Sequence, residues 1–276
     1  MITNHKLIID KSCPMCSLYG KCFTKMGLID KNTIAYYQNV NRKIFDQIDE
    51  KRAKSEVALV HPRSGKTLYG IDAFMRIISD NSPVLKRLFH VKWIYFLLRK
   101  LYRFISFNRK VIAGKEIGVN ERDCTPPVHV PYQISYLLIA AWFTGFMVNN
   151  FSALLDAELG VVHFGWREYA ICFGQIGWQF LALSLIQPNK RLRYLGNMST
   201  VSIIGGLLLI PLLIVDHFID FSWMQLLVGF GLIVGTMFYL HVQRCKRLEL
   251  PFIVSISWMA FRTIVLIIML YFLYLK

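Results

Sequence analysis

Lys6-Leu7-Ile8-Ile9-Asp10-Lys11-Ser12-Cys13-Pro14-Met15-Cys16 runs from a short apolar stretch straight into a Cys-x-x-Cys pair. Lys6–Ile9 has the β-branched, apolar character of a short buried strand. A helix to about Met26 should follow. Ser12 or Cys13 can cap it, and Pro14 suits the first turn, where a missing N–H leaves nothing unpaired. Working outward, a second strand is expected over 33–37 and a polar helix over 42–53. A third strand is expected over 57–61, a turn at Pro62-Arg63-Ser64-Gly65, a fourth strand over 66–69, and a helix over Ile71–Ser79 opened by Gly70. The order strand–helix–strand–helix–strand–strand–helix predicts an α/β, thioredoxin-like layer with the cysteines after its first strand.

The spacing has a chemical meaning. Cys13 and Cys16, at i and i+3, share one helix face, so their sulfurs can bond without unfolding the turn. At a helix start the unpaired N–H groups and the dipole favour a thiolate on Cys13. An exposed Cys13 thiolate would attack a disulfide and Cys16 would resolve the mixed disulfide, or the same steps would run in reverse. Two other readings stand beside this one. A lone Cys-x-x-Cys can be half of a zinc site, for which only His5 and Cys22 lie nearby, or both cysteines can be inert core residues. No metal and no cofactor is expected.

The rest of the chain is of a different kind. Over 276 residues the hydrophobic share is 55% and mean hydropathy is +0.42, too apolar for an ordinary soluble domain. From Tyr132 onward the apolar residues form five stretches long enough to span a bilayer, over 132–155, 169–187, 199–217, 224–242 and 252–275. Lys190, Arg191 and Arg193 lie in one link, and Arg244, Lys246 and Arg247 in another. The alternate links carry Asp156, Glu158 and Glu168, then Asp216 and Asp220. The positive-inside rule then puts the basic links, and across five spans the N-terminus, in the cytoplasm, with Lys276 on the far side. No cleavable leader is expected, because Leu7-Ile8-Ile9 is too brief for one. Of the net charge of +15, about +12 falls within residues 1–131. Beside membrane spans, an anionic leaflet explains that excess more simply than nucleic acid does.

Three segments together resemble the DCC-type thiol-disulfide oxidoreductases, named for Asp-x-x-Cys-x-x-Cys. Asp10, Cys13 and Cys16 match that motif, with Pro14 as the family usually has it. Tyr69-Gly70-Ile71-Asp72-Ala73-Phe74 resembles the family's Gly-x-Asp-Ala segment, and Leu101-Tyr102-Arg103 through Asn108-Arg109-Lys110 its closing Tyr-Arg…Asn-Arg stretch. The resemblance covers roughly residues 6–112 and implies thiol–disulfide exchange through Cys13 and Cys16, supported by Asp10 and Pro14. Some members carry a C-terminal membrane domain. Lys11-Ser12 departs from the small, acidic or glycine residues usual there. The cis-proline position of thioredoxins proper falls near Ser55-Glu56, without a proline, as is general in the family.

Further residues invite a role. Residues 84–110 hold eight Lys and Arg and no acid, interleaved with Trp93, Phe96, Leu97 and Leu101. They suit a helix lying on the inner leaflet, or the last helices of the soluble domain. Cys124, between Asp123 and Thr125, suits a disulfide relay or an ordinary free thiol, while Cys22, Cys172 and Cys245 suit packing. His163, His217 and His241, with Arg167, Glu168 and Arg262, are polar groups at or within the membrane. His163 and His217 suit a quinone head group or simple hydration of helix ends, and mid-span Arg262 should face a carbonyl or acidic partner.

The architecture expected is therefore a thioredoxin-like core over 1–83, a basic amphipathic connector over 84–131, and an all-α membrane domain over 132–276. The function expected is a thiol-disulfide oxidoreductase anchored in the inner cell membrane with its site in the cytoplasm. Its partners would be a protein or small-molecule disulfide or dithiol, and membrane lipid. The competing expectation is a membrane transporter or ligand-binding module with a redox-sensing or metal-binding regulatory domain.

Overall fold

The computed structural model describes residues 4–89, 91–113, 124, 126–219 and 221–274. It divides into two compact units, Met1–Tyr132 and Gln133–Lys276.

The first unit is built on a mixed four-strand sheet in the order β2-β1-β3-β4. The strands are β1 (Lys6–Ile9), β2 (Ile34–Tyr36), β3 (Ala58–Val60) and β4 (Thr67–Tyr69). β1 pairs parallel with β2, Ile8 facing Ala35, and antiparallel with β3, Leu7 facing Leu59. The parallel pairing needs a crossover, which α1 (Pro14–Lys25) supplies. Alternate residues of β1 and β3 then serve two layers. Leu7, Ile9 and Leu59 pack with Cys13, Cys16, Phe23 and Phe74, while Ile8, Ala58 and Val60 pack with Tyr37, Val40 and Cys124. A period of two places successive side chains on opposite faces, so a strand buried on both reads as an unbroken apolar run.

The helix expected over 42–53 forms as two, α2 (Arg42–Phe45) and α3 (Glu50–Ser55). The cause is two separate caps. The Asn41 side chain accepts from Lys43 N at 3.1 Å and the Asp49 carboxylate from Arg52 N at 3.1 Å, and each starts its own helix. α4 (Ile71–Ser79) and α5 (Pro83–Phe89) follow, then α6 (Lys92–Ala113). α6, the main element of the expected connector, carries Ser106, Asn108, Arg109 and Val111 into the interior of the first unit.

Five helices in the remainder are long and apolar enough to cross a membrane, which marks a membrane protein. They are α7 (Val130–Glu158), α8 (Arg167–Ile186), α9 (Arg191–Ile219), α10 (Trp223–Arg247) and α11 (Ile253–Tyr274). α9 begins eight residues earlier than the apolar stretch suggests, because Tyr194, Leu195 and Met198 are buried in the unit's core. Gly205 lets α9 approach the Met237 side chain of α10, the close contact that small residues permit between apolar helices. The break between α9 and α10 is set by a capping box of Ser222 and Gln225. Asp220 and Lys276, used above for the charge pattern, lie outside the described residues, as do Asp123 and Thr125.

Candidate functional site

β1 ends at Ile9 and the chain turns at once, and Asp10 makes the turn. Its Oδ1 accepts the Ser12 N–H at 2.9 Å and the Ser12 hydroxyl at 2.7 Å. Gln38 Nε2, from beyond β2, donates to the same oxygen at 2.7 Å while Gln38 Oε1 accepts from Lys11 N at 3.0 Å. Ser12 therefore serves Asp10 rather than the helix. Cys13 occupies the cap position of α1 without a side-chain cap bond, and Pro14 begins the helix as expected.

The Asp10–Ser12 turn sends the Cys13 side chain inward. Cys13 is 1% exposed and Cys16 2%, so the exposed thiolate anticipated for Cys13 is corrected to a buried one. Both sulfurs sit in the layer formed by Leu7, Ile9, Phe23 and Phe74. Burial opposes charge, yet the Cys13 thiol is brought down to about 6. The Cys16 side chain is the largest cause, donating to the Cys13 sulfur; the backbone of Cys16 and the guanidinium of Arg109 add to it. The same hydrogen bond, with burial, pushes the Cys16 thiol up. One sulfur holds the charge and the other the proton, an asymmetry suited to attack followed by resolution.

Arg109 is the cation behind the pair. It is 4% exposed and reaches in from α6. Its Nη1 lies 3.8 Å from the Cys16 sulfur, and its Nη2 donates to the carbonyls of Lys54 at 2.8 Å and Cys124 at 2.6 Å. The adjacent Lys110 Nζ donates to Asp10 Oδ2 at 3.0 Å and Ser12 Oγ at 3.2 Å. Burial alone would raise the Asp10 carboxyl. The Ser12 hydroxyl, Lys110, Gln38 and Arg109 outweigh it and hold Asp10 below the usual range, ionised.

The other segments singled out in the sequence converge on α6. Gly70 opens α4 at φ 61°. A Cβ there would meet the Tyr102 ring at 2.9 Å, so both the conformation and the contact call for glycine. Tyr102 Oη accepts the Val57 N–H at 3.0 Å, and Tyr95 Oη donates to Asp72 Oδ1 at 3.0 Å. Ser106 Oγ donates to the Ser55 carbonyl. The stretch before β3 is thus held by α6.

Other candidates fall elsewhere. His5 packs edge-on against His61 and Cys22 is exposed on α1. Among the described residues no three His, Cys, Asp or Glu gather as a metal site. Cys124 is buried, with its sulfur 3.4 Å from Arg109 Nη2 and 3.7 Å from the Ala53 carbonyl; burial pushes that thiol up to about 11. It lies in the layer across the sheet from Cys13 and Cys16.

The membrane unit has polar clusters of its own. At one end Asp156 Oδ2 meets His163 Nδ1 and Arg167 Nη2, each at 2.9 Å, and Arg167 Nε pairs with Glu168 at 2.7 Å. Inside, Tyr194 Oη bridges Gln179 Oε1 at 3.1 Å and His241 Nε2 at 2.9 Å, and His241 stacks on Trp258. The carbonyl or acid expected beside Arg262 is replaced by an aromatic face, its Cζ lying 4.0 Å from the centre of the Trp258 ring. Arg262 Nε has no hydrogen-bond partner among the described residues. His217 stands at the exposed end of α9 against Phe218.

Sequence reasoning named Asp10, Pro14, Cys13 and Cys16 but gave Arg109, Lys110 and Gln38 no part in the site. For the first two the signal was their place in the closing segment of the resemblance. For Gln38 there was none. Cys16→Ala is expected to raise the Cys13 thiol above about 6 by removing its hydrogen-bond donor. The pH midpoint of iodoacetamide labelling at Cys13, read by mass spectrometry, checks this, and an unmoved midpoint would show that Cys16 is not the donor that matters. Compared with protein-family models, curated proteins and solved structures, the chain matches none.

Proposed function

We propose that this chain is a DCC-type, membrane-anchored thiol-disulfide oxidoreductase whose thioredoxin-like N-terminal unit exchanges dithiols and disulfides at the cytoplasmic surface of the inner membrane. One observation carries the reading. Cys13 and Cys16 lie together at the start of α1 with their proton affinities driven apart, Cys13 to about 6 and Cys16 upward, against the buried cation of Arg109. An inert core pair has no need of that cation. The strand–helix–strand crossover and mixed sheet support the thioredoxin-like reading.

In the reducing direction, the Cys13 thiolate attacks one sulfur of a partner's disulfide. A mixed disulfide forms and the partner's other sulfur leaves as a thiolate, which takes a proton. Cys16 then gives up its proton and attacks the Cys13 sulfur, closing the Cys13–Cys16 disulfide and expelling the second partner thiolate. Two electrons pass from the pair to the partner. At the second step the charge moves to Cys16, where the Arg109 guanidinium stabilises it. A thiol reductant restores the pair, and in a reducing cytoplasm the dithiol is its resting form. Orientation is supported within the membrane unit, where the two basic links meet at one end. Lys190 Nζ donates to the Leu248 carbonyl at 2.9 Å and Arg244 to Asn197 at 2.8 Å.

Trapping tests the reading. In cells, the Cys16→Ser protein should accumulate reductant-sensitive adducts through Cys13, and mass spectrometry then names the partner. If no adduct forms and the purified wild-type chain turns over no disulfide peptide, the reading fails. A second reading draws on the Gln179–Tyr194–His241–Trp258–Arg262 chain, which suits a ligand-binding module in the membrane. It predicts that Cys13→Ser and Cys16→Ser change transport or ligand binding while no adduct is trapped.

A further inference from the structure

α6 packs one face on the first unit and leaves an apolar face exposed. Tyr95, Tyr102, Ser106 and Arg109 recur at helical spacing on the face that meets the first unit, where each makes the contacts given above. The opposite face should be polar if it met only water. Instead it presents Trp93, Phe96, Leu97 and Leu101, all exposed, with Trp93 82% exposed. Just before it, Val84, Leu85 and Val91 are exposed as well. Contiguous apolar surface of this kind marks an interaction site.

The charges beside the face select its partner. Lys86, Arg87, Lys92, Arg99 and Lys100 are exposed around these side chains, and residues 84–110 contain no Asp or Glu. The Lys100 ammonium lies 5.4 Å from the centre of the Phe96 ring, its stem along the apolar face and its charge at the edge. An acidic protein groove would suit the charge, but five candidate spans in the same chain ensure that a bilayer is always at hand. We propose that the outer face of α5 and the N-terminal half of α6 form a docking surface for an anionic lipid leaflet. Trp93, Leu97 and Leu101 enter the interface and the flanking cations meet lipid phosphates. The proposal stands independently of the thiol chemistry.

The test uses the full chain in nanodiscs of phosphatidylcholine alone or of phosphatidylcholine with phosphatidylglycerol. Hydroxyl-radical labelling is read at Trp93, with Met26 just past α1, 70% exposed, as the internal reference. Anionic discs should cut labelling of Trp93 relative to Met26 by roughly fivefold, about the effect of one basic group at a charged surface. A Lys92→Glu/Lys100→Glu double variant should lose that protection, while Lys92→Arg/Lys100→Arg keeps it and guards against a folding defect. Equal labelling of Trp93 in the two lipids overturns the proposal, whether the face is then bare or covered by protein.

Discussion

Under the proposed exchange, the Cys13→Ser protein is expected to lose turnover of a disulfide peptide by at least about 10³-fold, because a serine hydroxyl is not ionised near neutrality and a thiolate is the nucleophile that exchange needs. Cys16→Ser should lose turnover as well but keep the first step, so a stopped assay shows one equivalent of mixed disulfide and nothing after it. The wild-type rate should climb as pH rises through about 6, where Cys13 ionises, and level off above it. Stability follows with the same sign. Cys13 ionises more readily folded than unfolded, so its contribution to stability grows from about pH 6 toward pH 9 and is lost as pH falls back through about 6. Cys16, shifted upward, stays protonated in both states through most of that window and opposes the effect only as pH nears about 9, where the unfolded thiol ionises. A Cys13→Ser protein that keeps even a tenth of wild-type turnover would move the chemistry elsewhere in the chain.

Asp10→Ala is expected to weaken the first unit by about 3–5 kcal/mol, the usual cost of removing one partner from a buried ionic cluster. Its loss strands Lys110, paired at 3.0 Å, leaves Arg109, now 3.8 Å away, with no carboxylate beside it and only the Cys13 thiolate to balance it, and frees the Ser12 turn that directs Cys13 inward. Hydrogen exchange of the β1 and β3 amides in the full chain reads this unit separately from the membrane unit. Asp10→Ala/Lys110→Met should recover part of the loss, since one stranded cation goes with its anion. A change below about 1 kcal/mol would mean that water, not Asp10, satisfies these cations. The same substitution removes an anion that opposes Cys13 ionisation, so in protein still folded the Cys13 midpoint should move further down.

What the sequence made legible was local. Lys6–Ile9, the Pro14 helix start and the Gly70–Ile71 junction are written in adjacent residues, and they form where expected. The five spans are legible because twenty apolar residues have few other uses. Residues 42–53 misled because a helical average hides two caps, Asn41 and Asp49, each competent to begin a helix. The rest of the site was not legible because it is assembled from afar. Arg109 lies 93 residues from Cys16 and Lys110 lies 100 from Asp10, and no periodicity within a window of eighteen residues reports such a pairing. Burial of Cys13 was missed for a subtler reason. A thiol at a helix start points outward or inward according to the preceding turn, and that turn is fixed by Gln38 as well as by Ser12.

The Arg109 hub also sets an order for biosynthesis. Cys16 leaves the ribosome 93 residues ahead of the cation that steadies the pair, and the carbonyl of Cys124 that anchors that cation comes later still. α7 starts at Val130, only a few residues on. A nascent chain therefore carries two thiols without their buried cation until just before α7 emerges, and the Arg109 hub closes as that helix begins to form.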